Sequence, residues 1–126
     1  MIVMDSTGWL EMFLGGPRAD DFSRRLDEAE AVLVPTIAIY EVYKVLRREA
    51  SEEAADEGTG QMRLQTLVPL DDILAMEAAD YSLRHALPMA DAVLYATARA
   101  YGAMLVTSDR HFDGLPGVDY IASVKD

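Results

Sequence analysis

The stretches Ile2-Val3-Met4-Asp5-Ser6 and Met104-Leu105-Val106-Thr107-Ser108-Asp109 share one layout: a short apolar run of β type that ends in hydroxyl and carboxylate residues. An apolar run with no polar alternation reads as a strand buried on both faces, which is how strands of a parallel sheet read. Similar runs at Val32-Leu33-Val34, Leu67-Val68 and residues 118–122 bring the expected strands to five. Between them, helical period predicts helices after Ser6, over residues 20–29, from 36 to about 55, from 72 to about 86, and over 88–101. The alternation predicts an α/β fold, a parallel five-stranded sheet flanked by helices.

Local punctuation agrees with this rhythm. Thr36 and Asp71 or Asp72 suit helix N-caps, Pro88 suits a first helical turn, and Gly102 suits a C-terminal stop. Breaks are expected at Gly15-Gly16-Pro17, Gly58-Thr59-Gly60 and Gly114-Leu115-Pro116-Gly117, each short enough for a turn inside one domain. The five acids Glu49, Glu52, Glu53, Asp56 and Glu57 read as the solvated end of a helix.

With 126 residues, 51% hydrophobic and 26% charged, the chain fits a single domain over residues 1–126. It has no cysteine and only two histidines, His85 and His111, so any metal must be held mainly by oxygen. The longest apolar stretch, residues 31–40, is interrupted by Pro35 and Thr36 and falls short of the ~18 residues that would mark a membrane span. The N-terminus shows no signal-peptide pattern, which makes the cytoplasm the expected location. A formal charge of −11 argues against a general nucleic-acid coat protein. It leaves a nuclease open, because clustered carboxylates loaded with divalent cations attract phosphate.

Four acids stand in apolar surroundings. Asp5 and Asp109 follow strands, at the carboxyl edge where open α/β sheets bind ligands, although each taken alone reads as a helix or turn cap. Glu41 lies on a helical stripe between Ile37 and Val45, where it either meets a partner or snorkels to Lys44 or Arg48. Asp91, flanked by Met89-Ala90 and Ala92-Val93-Leu94, falls in the first turn of the helix opened by Pro88, where a dipole contact alone would explain it. If all four converged within about 6 Å, their mutual repulsion would reach on the order of 10–20 kcal/mol, as much as a domain's whole stability. Raised pKa values or a divalent cation must relieve it, and hard oxygen donors suit Mg²⁺ or Mn²⁺.

The order Met4-Asp5-Ser6, Thr36-Ile37-Ala38-Ile39-Tyr40-Glu41, Leu87-Pro88-Met89-Ala90-Asp91-Ala92 and Leu105 through Phe112 resembles the PIN-domain ribonucleases, specifically VapC-type toxins, over essentially the whole chain. The resemblance implies a PIN-like α/β/α sandwich. It implies that Asp5, Glu41, Asp91 and Asp109 hold one or two Mg²⁺ or Mn²⁺ ions and carry catalysis, and that Ser6 and Thr107 orient them. Their ordinary readings are an N-cap for Ser6 and a strand position for Thr107. It further implies RNA cleavage by a metal-activated water, leaving a 5′-phosphate and a 3′-hydroxyl, with a homodimer and a cognate VapB-like antitoxin.

Many members carry a further acid where this chain has His111, so no fifth acidic ligand is counted, and a weaker second metal or a changed metal preference follows as an option. Beside Arg110, His111 itself reads as a surface residue at the site's edge. Lys44, Arg47, Arg48, Arg84, Arg99 and Arg110 are too few and too scattered to make an RNA patch, and Tyr40, Tyr43 and Tyr95 read either as stacking partners for a base or as core. Trp9, Met12 and Phe13 read either as core or as an apolar contact for the antitoxin.

Other functions fit poorly. A receiver domain needs an adjacent acidic pair after its first strand, where this chain has Asp5-Ser6. Neither GxxxxGK[ST], GxGxxG nor GxSxG occurs. The remaining alternative is a catalytically silent PIN-like domain that binds RNA or protein without cutting.

Overall fold

The computed structural model describes residues 1–122. Five parallel strands, β1 (Ile2–Met4), β2 (Val32–Pro35), β3 (Thr66–Val68), β4 (Met104–Thr107) and β5 (Val118–Tyr120), form one sheet in the order β3-β2-β1-β4-β5. Six helices connect them: α1 (Ser6–Phe13), α2 (Ala19–Glu28), α3 (Thr36–Glu49), α4 (Glu52–Met62), α5 (Asp72–His85) and α6 (Met89–Ala100). The order reverses direction at β1, whose residues Val3 and Met4 pair with Leu105 and Val106 of β4. Right-handed crossovers therefore place α1 to α4 on one face of the sheet and α5 and α6 on the other. The expected α/β architecture is present.

Burial explains which elements hold the centre. Val3, Met4, Val34, Leu105 and Val106 are fully buried. So is nearly all of α6 from Asp91 to Ala98, the behaviour of a helix apolar on every side. Tyr95 Oη donates to Pro116 O at 2.7 Å, and its ring stacks on Phe112, which ties α6 to the segment between β4 and β5.

Several local expectations hold. Asp71 Oδ1 accepts the Leu74 N–H at 2.8 Å and caps α5, while Gly102, at φ +65°, lets the chain leave α6 and enter β4. Others need correction. The helix expected from Thr36 to about residue 55 is two helices, parted at Ala50, because Ser51 Oγ accepts the Ala54 N–H and starts α4 afresh. Gly58-Thr59-Gly60 is no break but lies inside α4, and Thr36 is the first residue of α3, with Pro35 as its cap. The last strand ends at Tyr120 rather than at residue 122.

Candidate active site

The reversal at β1 brings the ends of β1 and β4 side by side; Asp91 and Asp109 come together there with His111, while Asp5 and Glu41 lie outside that close cluster and join it through hydroxyl groups. Asp5 follows β1 at the N-cap position of α1, yet its side chain makes no capping bond, so the cap reading does not account for it. Oδ2 of Asp5 instead accepts the Thr107 hydroxyl at 2.7 Å and the Thr7 hydroxyl at 3.0 Å, while Oδ1 accepts from the Ser6 hydroxyl at 3.3 Å. Ser6 Oγ donates over a shorter 3.0 Å distance to Glu41 Oε1. Ser6 is thus the first residue of α1 rather than its cap. Thr107 Oγ1 also accepts the Asp109 N–H at 2.9 Å, so one buried hydroxyl ties the ends of both strands.

The circuit closes through His111. Asp109 caps a short 3₁₀ turn, Arg110–Phe112, by accepting the His111 N–H at 2.9 Å. That turn sets His111 Nδ1 at 2.9 Å from both Asp91 Oδ2 and Asp109 Oδ1. His111 is half exposed, as its surface reading anticipates, but its ring is engaged with two carboxylates, which spacing in sequence did not reveal. Glu41, Ser6, Asp5, Thr107, Asp109, His111 and Asp91 form one connected polar chain drawn from four distant segments. Thr7 was absent from the sequence reading, although a second hydroxyl one residue beyond Ser6, in the first turn of α1, was its available signal.

Electrostatics fit the geometry. Burial raises the Asp5 pKa against the opposing pull of the Thr107 and Thr7 hydroxyls, and the Asp109 charge adds to the rise. Glu41 is raised by burial and by Asp5 and Asp109, with Ser6 and Lys44 opposing. Asp91 is pushed up to about 7 by burial and by the Asp109 and Asp5 charges, with His111 in partial opposition. His111 in turn is raised by its hydrogen bond to Asp109 and by Asp91. Of the bland alternatives for Glu41, Arg48 pairs instead with Glu49 at 3.3 Å.

The residues suit a hard divalent cation. Donor atoms of Asp91, Asp109 and His111 lie within 4.8 Å of one another. The raised carboxyl pKa values report burial first and mutual repulsion second, and a bound cation would offset both.

Away from the acids, Lys44, Arg47 and Arg48 are not scattered. Together with Ile39, Tyr40 and Tyr43 they line a depression of about 670 Å³ on α3, with Lys44 Nζ 5.0 Å from the Tyr40 ring centre. Tyr95 is buried core and leaves the set of candidate stacking residues. Trp9 is also core, at 2% exposure, whereas Met12 and Phe13 are half-buried. All three border a cleft of about 470 Å³ walled by α1, α2, α3 and α4, and the buried Trp9 Nε1–H has no acceptor among the described residues.

A parallel α/β domain that gathers carboxylates and hydroxyls at the point where its strand order reverses belongs to the class that binds charged ligands at the sheet's carboxyl edge. A sequence model of the PIN domain matches residues 2–118, and the chain belongs to the PIN-domain family. No curated protein matches the sequence. Among solved structures, VapC20 from Mycobacterium tuberculosis, described as a sarcin-ricin loop cleaving toxin, superposes with a TM-score of 0.83 at 19% identity, over 98% of this chain and 100% of that one. A toxin-antitoxin complex from Klebsiella pneumoniae gives 0.78 at 19% identity, over 94% and 96%. DNA-bound VapBC from Salmonella typhimurium gives 0.76 at 15%, over 97% and 98%. At such identities the likeness shows the shared PIN fold.

Proposed function

We propose that this chain is a divalent-metal-dependent endoribonuclease of VapC toxin type, held in check by a cognate antitoxin and acting on RNA in the cytoplasm. The observation that carries the proposal is the polar chain linking Asp5, Glu41, Asp91 and Asp109 through Ser6, Thr107 and His111. Four acids tethered in this way suit a cation better than four unrelated caps do. A bound Mg²⁺ or Mn²⁺ supplies an activated water and offsets charge on the scissile phosphate. Asp5, Glu41, Asp91 and Asp109 hold the ion, while Thr107 and Thr7 fix the Asp5 carboxylate and Ser6 fixes Glu41.

The substrate needs a path to the acids. Lys44 and Tyr40 flank Glu41 on α3, and their face continues to Tyr43, Arg47 and Arg48. A single strand of RNA lies along it, with phosphates on the cations and a base on the exposed Tyr40 ring. Its affinity is modest, because Arg47 and Arg48 already pair with Glu52 and Glu49. The antitoxin's apolar side chains fill the cleft bordered by Trp9, Met12 and Phe13. A second copy covers the exposed Ile73, Met76 and Met89.

Purified protein is incubated with total RNA, with and without Mg²⁺ or Mn²⁺, and new 5′ ends are mapped. Cleavage that needs the metal, stops with chelator, leaves 5′-phosphates and is lost in Asp5→Asn and Asp91→Asn supports the proposal. Full cleavage by either variant overturns it. RNA binding with no cleavage under any metal favours the silent binding module.

A further inference from the structure

We infer that His111 is a direct ligand of the metal, its Nδ1 joining Asp91 and Asp109 in a mixed nitrogen and oxygen site that takes first-row transition-metal dications, Mn²⁺ among them, in preference to Mg²⁺. The inference rests on the metal-dependent reading above and specifies which ion that site selects.

Geometry is its first support. Nδ1 stands 2.9 Å from Asp91 Oδ2 and 2.9 Å from Asp109 Oδ1, and the three residues' donor atoms lie within 4.8 Å of one another. Donor atoms this close together would suit a single ion, with Asp91, Asp109 and His111 as the residues that would hold it. Coordination through Nδ1 would require that nitrogen to be unprotonated, any proton on it passing to solvent.

The second support is that the ring is held rather than merely nearby. Asp109 accepts the His111 N–H, which closes the 3₁₀ turn, and the next residue, Phe112, is fully buried. Phe112 packs against Tyr95, whose hydroxyl is bound to Pro116 O. The turn is therefore pinned to α6, the helix that carries Asp91. A merely solvating histidine needs no such anchorage.

Donor chemistry then decides the metal. Mg²⁺ prefers oxygen and keeps most of its waters, so an imidazole adds little to its binding, whereas transition-metal dications gain from a nitrogen ligand. Among these residues His111 adds a donor without adding negative charge to the carboxylates of Asp5, Glu41, Asp91 and Asp109. The site thereby relies less on bare charge and more on ligand type for its choice of ion.

Chelator-stripped protein is titrated with Mn²⁺ and with Mg²⁺ by calorimetry, and the Mn²⁺-loaded protein is examined by pulsed electron paramagnetic resonance for coupling to a ¹⁴N nucleus. Wild type should show directly coordinated nitrogen. His111→Asp should bind Mn²⁺ without that coupling, and its Mn²⁺ to Mg²⁺ affinity ratio should fall about tenfold or more. Asp91→Asn should weaken Mn²⁺ binding, which identifies the site being read. If wild type binds Mn²⁺ there without nitrogen coupling, or His111→Asp leaves the affinity ratio unchanged, the inference is overturned while the nuclease reading stands. If wild type binds neither ion, both fall.

Discussion

Asp91 shows how far a fold can push one carboxyl group. Its pKa rises from 3.8 to about 7, chiefly through burial and then through Asp109 and Asp5. An acid whose folded pKa exceeds its unfolded value binds its proton more tightly in the folded state, so this stabilisation is present at low pH and is lost as pH rises from 3.8 toward 7. His111, raised above 6.5, contributes in the same direction, since its charged form is favoured by its neighbours and is lost at higher pH. For chelator-treated protein, Asp91→Asn should raise stability by about 2 kcal/mol at pH 8 and change it little at pH 4, read by thermal melts across pH. Thr107→Val keeps the volume but strips the Asp109 N–H and Asp5 Oδ2 of a partner. It should cost about 1–3 kcal/mol in a denaturant melt and weaken metal binding roughly tenfold or more by calorimetry. Asp5, Glu41, Asp91 and Asp109 were legible in sequence because each is an acid where apolar periodicity predicts burial or a strand end. Thr7 and the role of His111 were not, because their contacts depend on how a first helical turn and a 3₁₀ turn rotate against the other side of the sheet.

At the scale of elements, α4 shows what glycine can conceal. Gly58-Thr59-Gly60 carries the residues of a turn, but Thr59 Oγ1 bonds Ala55 O at 2.8 Å along a continuous helix. Gly58 is there for closeness, since a Cβ at that position would stand 2.8 Å from Leu46 Cδ1 and 3.2 Å from Phe13 ring atoms. Gly60 has nothing within 4 Å of such an atom. Gly58→Ala should therefore destabilise by about 1–3 kcal/mol, and Gly60→Ala should stabilise by about 0.5–1 kcal/mol, both by equilibrium denaturation. Propensity cannot separate these two glycines, because packing of α4 on α3 and Phe13 distinguishes them. The parting at Ala50 was hidden for a related reason: helix-forming residues continue on both sides, and one serine cap ends the run. The strands, by contrast, were legible in number and place, although the last one ends at Tyr120, two residues before its apolar run does.

Across the whole molecule, twice as many acids as lysines and arginines, 22 against 11, give a field that opposes compaction. Raising NaCl from about 0.05 M to about 0.5 M should raise the melting temperature of metal-free protein, and millimolar Mg²⁺ or Mn²⁺ should raise it further in wild type but not in Asp91→Asn. The parallel sheet was legible at this scale because length, strand count and helix spacing allow few other architectures, whereas the α3 cationic face was not, because Lys44, Arg47 and Arg48 become one surface only on a folded helix. The site itself draws on residues from 5 to 111, and β4, which carries Thr107 toward Asp109, pairs with β1 from far along the chain. During biosynthesis, at about 5–20 residues per second, on the order of several seconds separate the emergence of Glu41 from that of Asp109. A ribosome can therefore carry Asp5 and Glu41 for that interval before the last of the four carboxylates has been made.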